Sequence, residues 1–245
     1  MRDIEGDAVA ITGASSGIGA ATARALAAAG VDLALGARRA DRLAELAEEL
    51  RDEHGVTAEP VPVDVTDSDA VDGFVADAVD ALGGLDGVVV NAGVGLAGDV
   101  ESMSDEDYRA MTGVNVDGAF YTARAALPHL RESSGTVVFV ASFAGEYPRP
   151  GNPVYAATKW WVRGFAHSLE GRVGADGVAV SVVNPTEVRT EFASEQGESF
   201  EERFDPDDVT EPTAIADGIR FCLSQEGTDT VSELDLYRRD KFAGW

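Results

Sequence analysis

Seven short apolar runs alternate with helix-length segments along the chain, and few architectures accommodate that rhythm. Residues 7–12, 31–37, 56–63, 85–90, 136–140, 178–183 and 231–236 read as strands. Several are apolar at consecutive positions, the pattern of strands buried on both faces, and the helices between them supply the covers. Helices are expected after the first glycine-rich turn through residue 29, then at 41–54, 68–82, 105–130, 152–173 and 213–223. Leucines 43, 46 and 50 mark the apolar face of the second one. The expected fold is α/β, a parallel sheet covered on both sides, with 1–245 forming one domain. No internal repeat, low-complexity tract or linker is found.

Composition narrows the function. A formal net charge of −25 repels polyanions, so neither nucleic acid nor an anionic membrane is an expected partner. No run approaches a membrane span, and the first residues carry no apolar signal region, so a cytoplasmic location is expected. The acidic residues are dispersed rather than blocked, and lysine occurs only at 159 and 241. That pattern matches surfaces of proteins from salt-adapted cells, where salt screens carboxylate repulsion. The single cysteine, Cys222, lies in an apolar stretch and reads as a buried structural thiol. His54, His129 and His167 lack metal-ligand spacing, and no metal is expected.

The sequence from Thr12 to Gly19 joins the first strand to the first helix. Gly13 suits a tight turn, Gly17 lets backbone approach a pyrophosphate, and Gly19 lets the helix pack close to the sheet. Ser15, Ser16 and Ile18 belong to the same turn, ahead of a helix N-terminus that favours phosphate. The second strand ends at Gly36-Ala37 and is followed by Arg38 and Arg39. Arginine there accommodates a ribose 2′-phosphate, whereas an acidic residue would bind the ribose itself, so NADP is expected over NAD. The competing reading has these arginines simply solvate a loop or pair with Asp41 and Glu45.

Ser142 follows the fifth strand, at the carboxyl end where open parallel sheets bind ligands. Asn152 suits an N-cap and Pro153 a first helical position, placing Tyr155 in the first turn. Lys159 lies four residues on, hence on the same helix face. A cation beside a phenol favours the phenolate and lowers the tyrosine pKa, which makes it a usable acid and base. A chain that avoids lysine yet places one here uses its compact ammonium, which a wide guanidinium does not imitate.

Together, Thr12-Gly-x-x-x-Gly-x-Gly19, Asn91-Ala-Gly93, Asn115, Ser142 and Tyr155-x-x-x-Lys159 closely resemble the short-chain dehydrogenase/reductase family. The resemblance spans about residues 8–236 and implies a doubly wound, Rossmann-type fold with a mostly parallel seven-stranded sheet. It implies hydride transfer between a nicotinamide and a small-molecule carbonyl or alcohol. By it, Tyr155 exchanges the proton and Ser142 holds the substrate oxygen. Lys159 binds the nicotinamide ribose and lowers the Tyr155 pKa, and Asn115 anchors a water of the proton relay. It further implies cofactor contacts from Asp64 and Val65, from Asn91, Ala92 and Gly93, and from Pro185, Val188 and Thr190. Asp64, before Thr66, could instead start a helix.

By family position, Val94, Leu96, Phe143, Tyr147 and Val154 form a partly apolar substrate pocket, and residues 191–212 a substrate-side loop. Asn184-Pro-Thr186 departs from the family's usual Pro-Gly, Phe143 is bulky for its position, and adjacent Trp160 and Trp161 are unusual in that helix. The tryptophans suit a core or subunit contact, and the helix is commonly an interface in the family, so a homo-oligomer, tetramer or dimer, is expected. Alternatives are an NAD-linked sugar or hydroxy-acid dehydrogenase, or a non-catalytic nucleotide-binding sensor on the same fold.

Overall fold

A computed structural model describes residues 1–192, 199–206, 208–227 and 229–243. Strands β1 (Ala8–Thr12), β2 (Asp32–Ala37) and β3 (Ala58–Pro62) alternate with helices α1 (Gly17–Ala27) and α2 (Ala40–His54). After α3 (Ser68–Leu82) and β4 (Gly87–Val90) come α4 (Asp105–Thr112), α5 (Gly118–Ser133) and β5 (Thr136–Val140). The chain closes with α6 (Pro153–Val173), β6 (Ala179–Pro185), α7 (Phe200–Arg203), α8 (Pro212–Leu223) and β7 (Glu233–Leu236). The seven strands form one sheet in the order β3-β2-β1-β4-β5-β6-β7, and every pairing is parallel.

Period-two alternation divides strands β1–β6 between two cores. Val9, Ile11, Val138 and Val140 face one layer with Leu26 of α1, Leu43 and Leu50 of α2, and Ile215 and Ile219 of α8. Ala10, Val137 and Phe139 face the other, with Phe74 of α3, Ala123 and Leu130 of α5, and Val162 and Ala166 of α6. Phe139 is fully buried, so its truncation to alanine would cost about 3–5 kcal/mol through lost transfer energy and a cavity. Cys222 is buried as expected, and burial pushes its thiol up to about 11.

This strand order places the site. The chain leaves β1 outward through β2 and β3, then returns to the far side of β1 at β4. Connections therefore diverge at the carboxyl ends of β1 and β4, the crevice where doubly wound sheets take ligands.

Three local features differ from the sequence reading. The helix expected over 105–130 is interrupted at Gly113–Asp117 by a π turn that carries Asn115. A short helix, Phe200–Arg203, opens with a Ser199–Glu202 capping box inside the stretch expected to be a loop. The rest of that loop includes 193–198 and 207, which lie outside the described residues. Asp67, not Asp64, caps α3, accepting from the N–H groups of Asp69 and Ala70.

Candidate active site

A cleft of about 510 Å³ opens at the carboxyl ends of the strands. Its floor begins at the glycine turn. Gly13 has φ +70° and Gly17 φ +53°, and a Cβ at Gly19 would strike the Gly13 carbonyl. Asn91 laces β4 to this turn, its Nδ2 donating to the carbonyls of Thr12 and Gly13 at 3.0 and 3.2 Å. Ser16 stands at the N-cap of α1 yet makes no side-chain cap bond, and the first turn of α1 holds no acidic residue. The leading N–H groups of the helix are thus open to an anion.

At one end of the cleft lie the arginines. Arg38 lines it. Arg39 donates to Ser15 Oγ at 2.9 Å, to Ser16 Oγ at 2.6 Å and to Glu191 at 2.9 Å. Arg42 reaches the same Glu191 at 2.7 Å. Among the described ion pairs, neither arginine takes Asp41 or Glu45; the carboxylate comes from the loop after β6. Arg42, then burial and Arg39, set the Glu191 carboxyl, with a net shift below its usual range. Asp64 accepts from the Thr66 N–H at 3.0 Å and hydroxyl at 2.8 Å. These bonds, the backbone one foremost, hold its pKa low, and Arg38 adds to them.

At the other end the proton-transfer groups converge. Ser142 ends the run out of β5, and Tyr155 is in the first turn of α6 behind Pro153. Burial raises the Tyr155 pKa, while hydrogen bonding with the Ser142 hydroxyl and the charge of Arg149 lower it, with a net shift upward. Lys159 is buried, its Nζ donating to the Val140 carbonyl at 2.9 Å, and burial lowers its pKa to about 8. The ammonium stands 5.9 Å from the Tyr155 ring centroid. The expected lowering of the tyrosine by Lys159 is therefore not what the protein groups set up. Desolvation dominates both residues, and Arg149 is the cation that lowers Tyr155.

Asn115 is buried in its π turn, with Nδ2 donating to the Val94 carbonyl at 2.8 Å and to Thr158 Oγ1 at 3.0 Å. Its Oδ1 accepts from the Val94 N–H at 2.9 Å, so the side chain clamps the loop after β4 against α6. π turns of this kind recur at functional sites. Thr158 passes the link on to the Tyr155 carbonyl at 2.7 Å.

The remaining expectations divide by place. Ile18, Val65, Ala92 and Gly93 line the cleft, as do Pro185, Val188 and Thr190. Val94, Leu96 and Phe143 line it too, whereas Tyr147 and Val154 are not among its lining residues. Tyr147 stacks on Phe143 at 4.4 Å, forming a layer behind it. Asn152 makes no side-chain cap bond; its ψ of 61° departs from the extended geometry of a capping residue, and its Oδ1 lacks a partner. Thr186 ties the turn after β6 to the C-terminal segment, donating its N–H to Leu236 at 3.4 Å. Sequence reasoning missed Arg42, Arg149, Glu187 and Lys241; the scarcity of lysine was a signal for the last.

Comparison with known proteins agrees with this geometry. The family described as short chain dehydrogenase matches residues 7–200. The chain belongs to the short chain dehydrogenase family. An uncharacterized oxidoreductase of Staphylococcus epidermidis is 32% identical over 237 residues, covering 96% of this chain and 99% of the relative. The alcohol dehydrogenase of the archaeon Thermococcus sibiricus, complexed with 5-hydroxy-NADP, superposes with a TM-score of 0.88 at 32% identity. That match covers 97% of this chain and 99% of the other. The 3-ketoacyl-(acyl-carrier-protein) reductase of Brucella melitensis, complexed with NADH, gives 0.85 at 27% identity, covering 95% and 97%. This chain is thus an oxidoreductase by family, and both of those structural neighbours were solved with a nicotinamide cofactor. No described helix is long and apolar enough to cross a membrane.

Proposed function

We propose that the protein is an NADP(H)-dependent oxidoreductase that interconverts a carbonyl and a primary or secondary alcohol, with Tyr155 as acid and base. The observation that carries this reading is the convergence of Ser142, Tyr155 and a buried Lys159 on one cleft at the carboxyl end of β5. The open N-terminus of α1 and the glycines of the turn before it suit a pyrophosphate, with Asp64 near the adenine and Lys159 near the nicotinamide ribose. A bound nicotinamide supplies hydride to the carbonyl carbon, or takes it from the alcohol carbon.

The chain's own groups handle the proton. The Ser142 hydroxyl holds the substrate oxygen, and the Tyr155 hydroxyl gives that oxygen its proton in reduction and takes it back in oxidation. A net raised pKa keeps Tyr155 protonated near neutrality, ready for reduction. Asn115 keeps the Val94 loop and α6 in register, which preserves the spacing the transfer needs. Replacing Tyr155 by phenylalanine while following carbonyl reduction tests the reading.

Arg39, Ser15 and Ser16 support NADP, since they gather donors where a 2′-phosphate would lie. One observation favours NAD instead: Glu191 already occupies Arg39 and Arg42. Relative kcat/KM for the two cofactors decides between them. The reading includes a cytoplasmic, salt-adapted homo-oligomer of single-domain chains. Phe120, Trp160 and Trp161 are 40%, 46% and 36% exposed on α5 and α6, which supports a subunit contact there.

A further inference from the structure

A charged cluster stands at the substrate end of the cleft, and the proton transfer does not account for it. Arg149 and Glu187 line the cleft together with Ser142 and Tyr155. Lys241, near the C-terminus, donates to both Glu187 carboxylate oxygens at 2.6 and 2.8 Å, and its side chain is only 5% exposed. Arg149 Nη2 reaches the same carboxylate at 3.2 Å, the one side-chain hydrogen bond Arg149 makes among the described residues. Both cations also sit over Phe143, Lys241 at 4.6 Å and Arg149 at 5.2 Å from its ring centroid.

One carboxylate therefore serves two cations. Lys241 alone would neutralise Glu187, so the cluster carries a surplus positive charge, and this in a chain of net charge −25. A partly buried cation without its own counter-ion is costly unless an anion completes the set. Lys241 weakens the claim of Glu187 on Arg149, leaving the remaining guanidinium N–H groups for a ligand in the cleft.

We propose that Arg149 is a specificity-determining residue that pairs with a carboxylate on the substrate, so that the enzyme acts on keto acids and hydroxy acids. Lys241 holds Glu187 in place so that it does not quench Arg149. The proposal rests on the cleft being a carbonyl–alcohol site.

The test uses α-keto and β-keto acids, each against its methyl ester, with NADPH and NADH in molar salt near neutral pH. The intact enzyme should prefer the acid by about 10- to 100-fold in kcat/KM, the size of a charged hydrogen bond. In Arg149→Ala that ratio should fall toward one, mainly through the KM of the acid, and Arg149→Lys should recover part of it. Lys241→Met should lower the ratio too, because Glu187 then turns wholly to Arg149. In parallel, a hydroxy acid should raise the Tm of the NADP-saturated enzyme more than its methyl ester does, a difference that Arg149→Ala should erase. Esters used as well as acids, or an acid preference unchanged in Arg149→Ala, would overturn the proposal. Tyr155→Phe separates the two levels: if it keeps full turnover, the carbonyl–alcohol reading itself falls. If it loses turnover while acids and esters stay equal, only the role of Arg149 falls.

Discussion

The Lys159 ammonium donates to the main-chain carbonyl of Val140 at 2.9 Å, tying α6 to the last residue of β5 just before Ser142. This bond fixes the lysine, and through it the helix that carries Tyr155, against the strand end that carries the serine. A Cβ at Gly145 would lie 2.8 Å from the Lys159 carbonyl, so the turn after Ser142 packs directly on the same helical residue. Arginine fits this place poorly, being wider and planar. Lys159→Arg and Lys159→Met should each lower kcat/KM by about a hundredfold or more. Activity near the original level in Lys159→Arg would contradict a requirement for the compact ammonium.

The same lysine leaves a mark on stability. Burial lowers its pKa from 10.5 to about 8, so between those values the unfolded chain binds more protons than the folded one. The Lys159 contribution to stability therefore rises with pH across that window, by on the order of 3 kcal/mol. Denaturant midpoints at several pH values, compared with Lys159→Met to cancel the other titrating groups, should show the gain only in the lysine enzyme. Parallel curves would contradict it.

Tyr155 should govern the pH profile of alcohol oxidation, in which it must begin as the phenolate. Burial holds its pKa up, and Ser142 and Arg149 pull against that. Oxidation should thus climb toward alkaline pH, and Arg149→Met should push the limb higher, while Arg149→Lys should stay closer to the original. A limb that moves down in Arg149→Met would have the wrong sign.

Much of this architecture was legible in the sequence because local patterns determine it. The strand Thr136–Val140 and the helix Ser68–Leu82 have the limits that periodicity predicts, since burial on both faces and an Asp67 cap are written nearby. The glycine turn, Ser142, Tyr155 and Lys159 meet where strand order demands. What stayed hidden depends on chain returning from far away. Glu191 reaches Arg39 across 152 positions, and Lys241 reaches Glu187 from the C-terminal segment. The π turn at Asn115 was equally invisible, because a helix-length pattern does not report one widened turn.

Cofactor choice should follow the Arg39 contacts. Arg39→Ala should lower kcat/KM for NADPH by about tenfold or more and change that for NADH little, as expected for losing charge-assisted bonds to a phosphate. Glu191→Gln, which releases both arginines, should improve NADPH use several-fold. Equal use of the two cofactors, unaffected by Arg39→Ala, would favour the NAD reading.

Salt should stabilise the fold. With 44 acidic against 19 lysine and arginine residues, self-repulsion falls as the screening length shrinks. Melting between low and molar salt should show Tm rising by about 5 °C or more, equivalent to a few kcal/mol in a chain of this size. An unchanged Tm would remove the salt-adapted reading.

Light scattering in molar salt should return a dimeric or tetrameric mass. Trp161 stacks on Phe165 at 4.8 Å and remains 36% exposed, so Trp161→Glu should place a charge in the contact and lower the mass. A monomer before substitution would contradict the proposed assembly.

The most direct test of the whole account is turnover of a carbonyl panel, with NADPH and NADH in molar salt, by Tyr155→Phe. The substitution removes one hydroxyl from a packed ring that leans on Phe192, so fold and cofactor binding should survive. Turnover should fall by about a thousandfold while NADPH fluorescence still reports binding. Turnover equal to that of the tyrosine enzyme would contradict the mechanism.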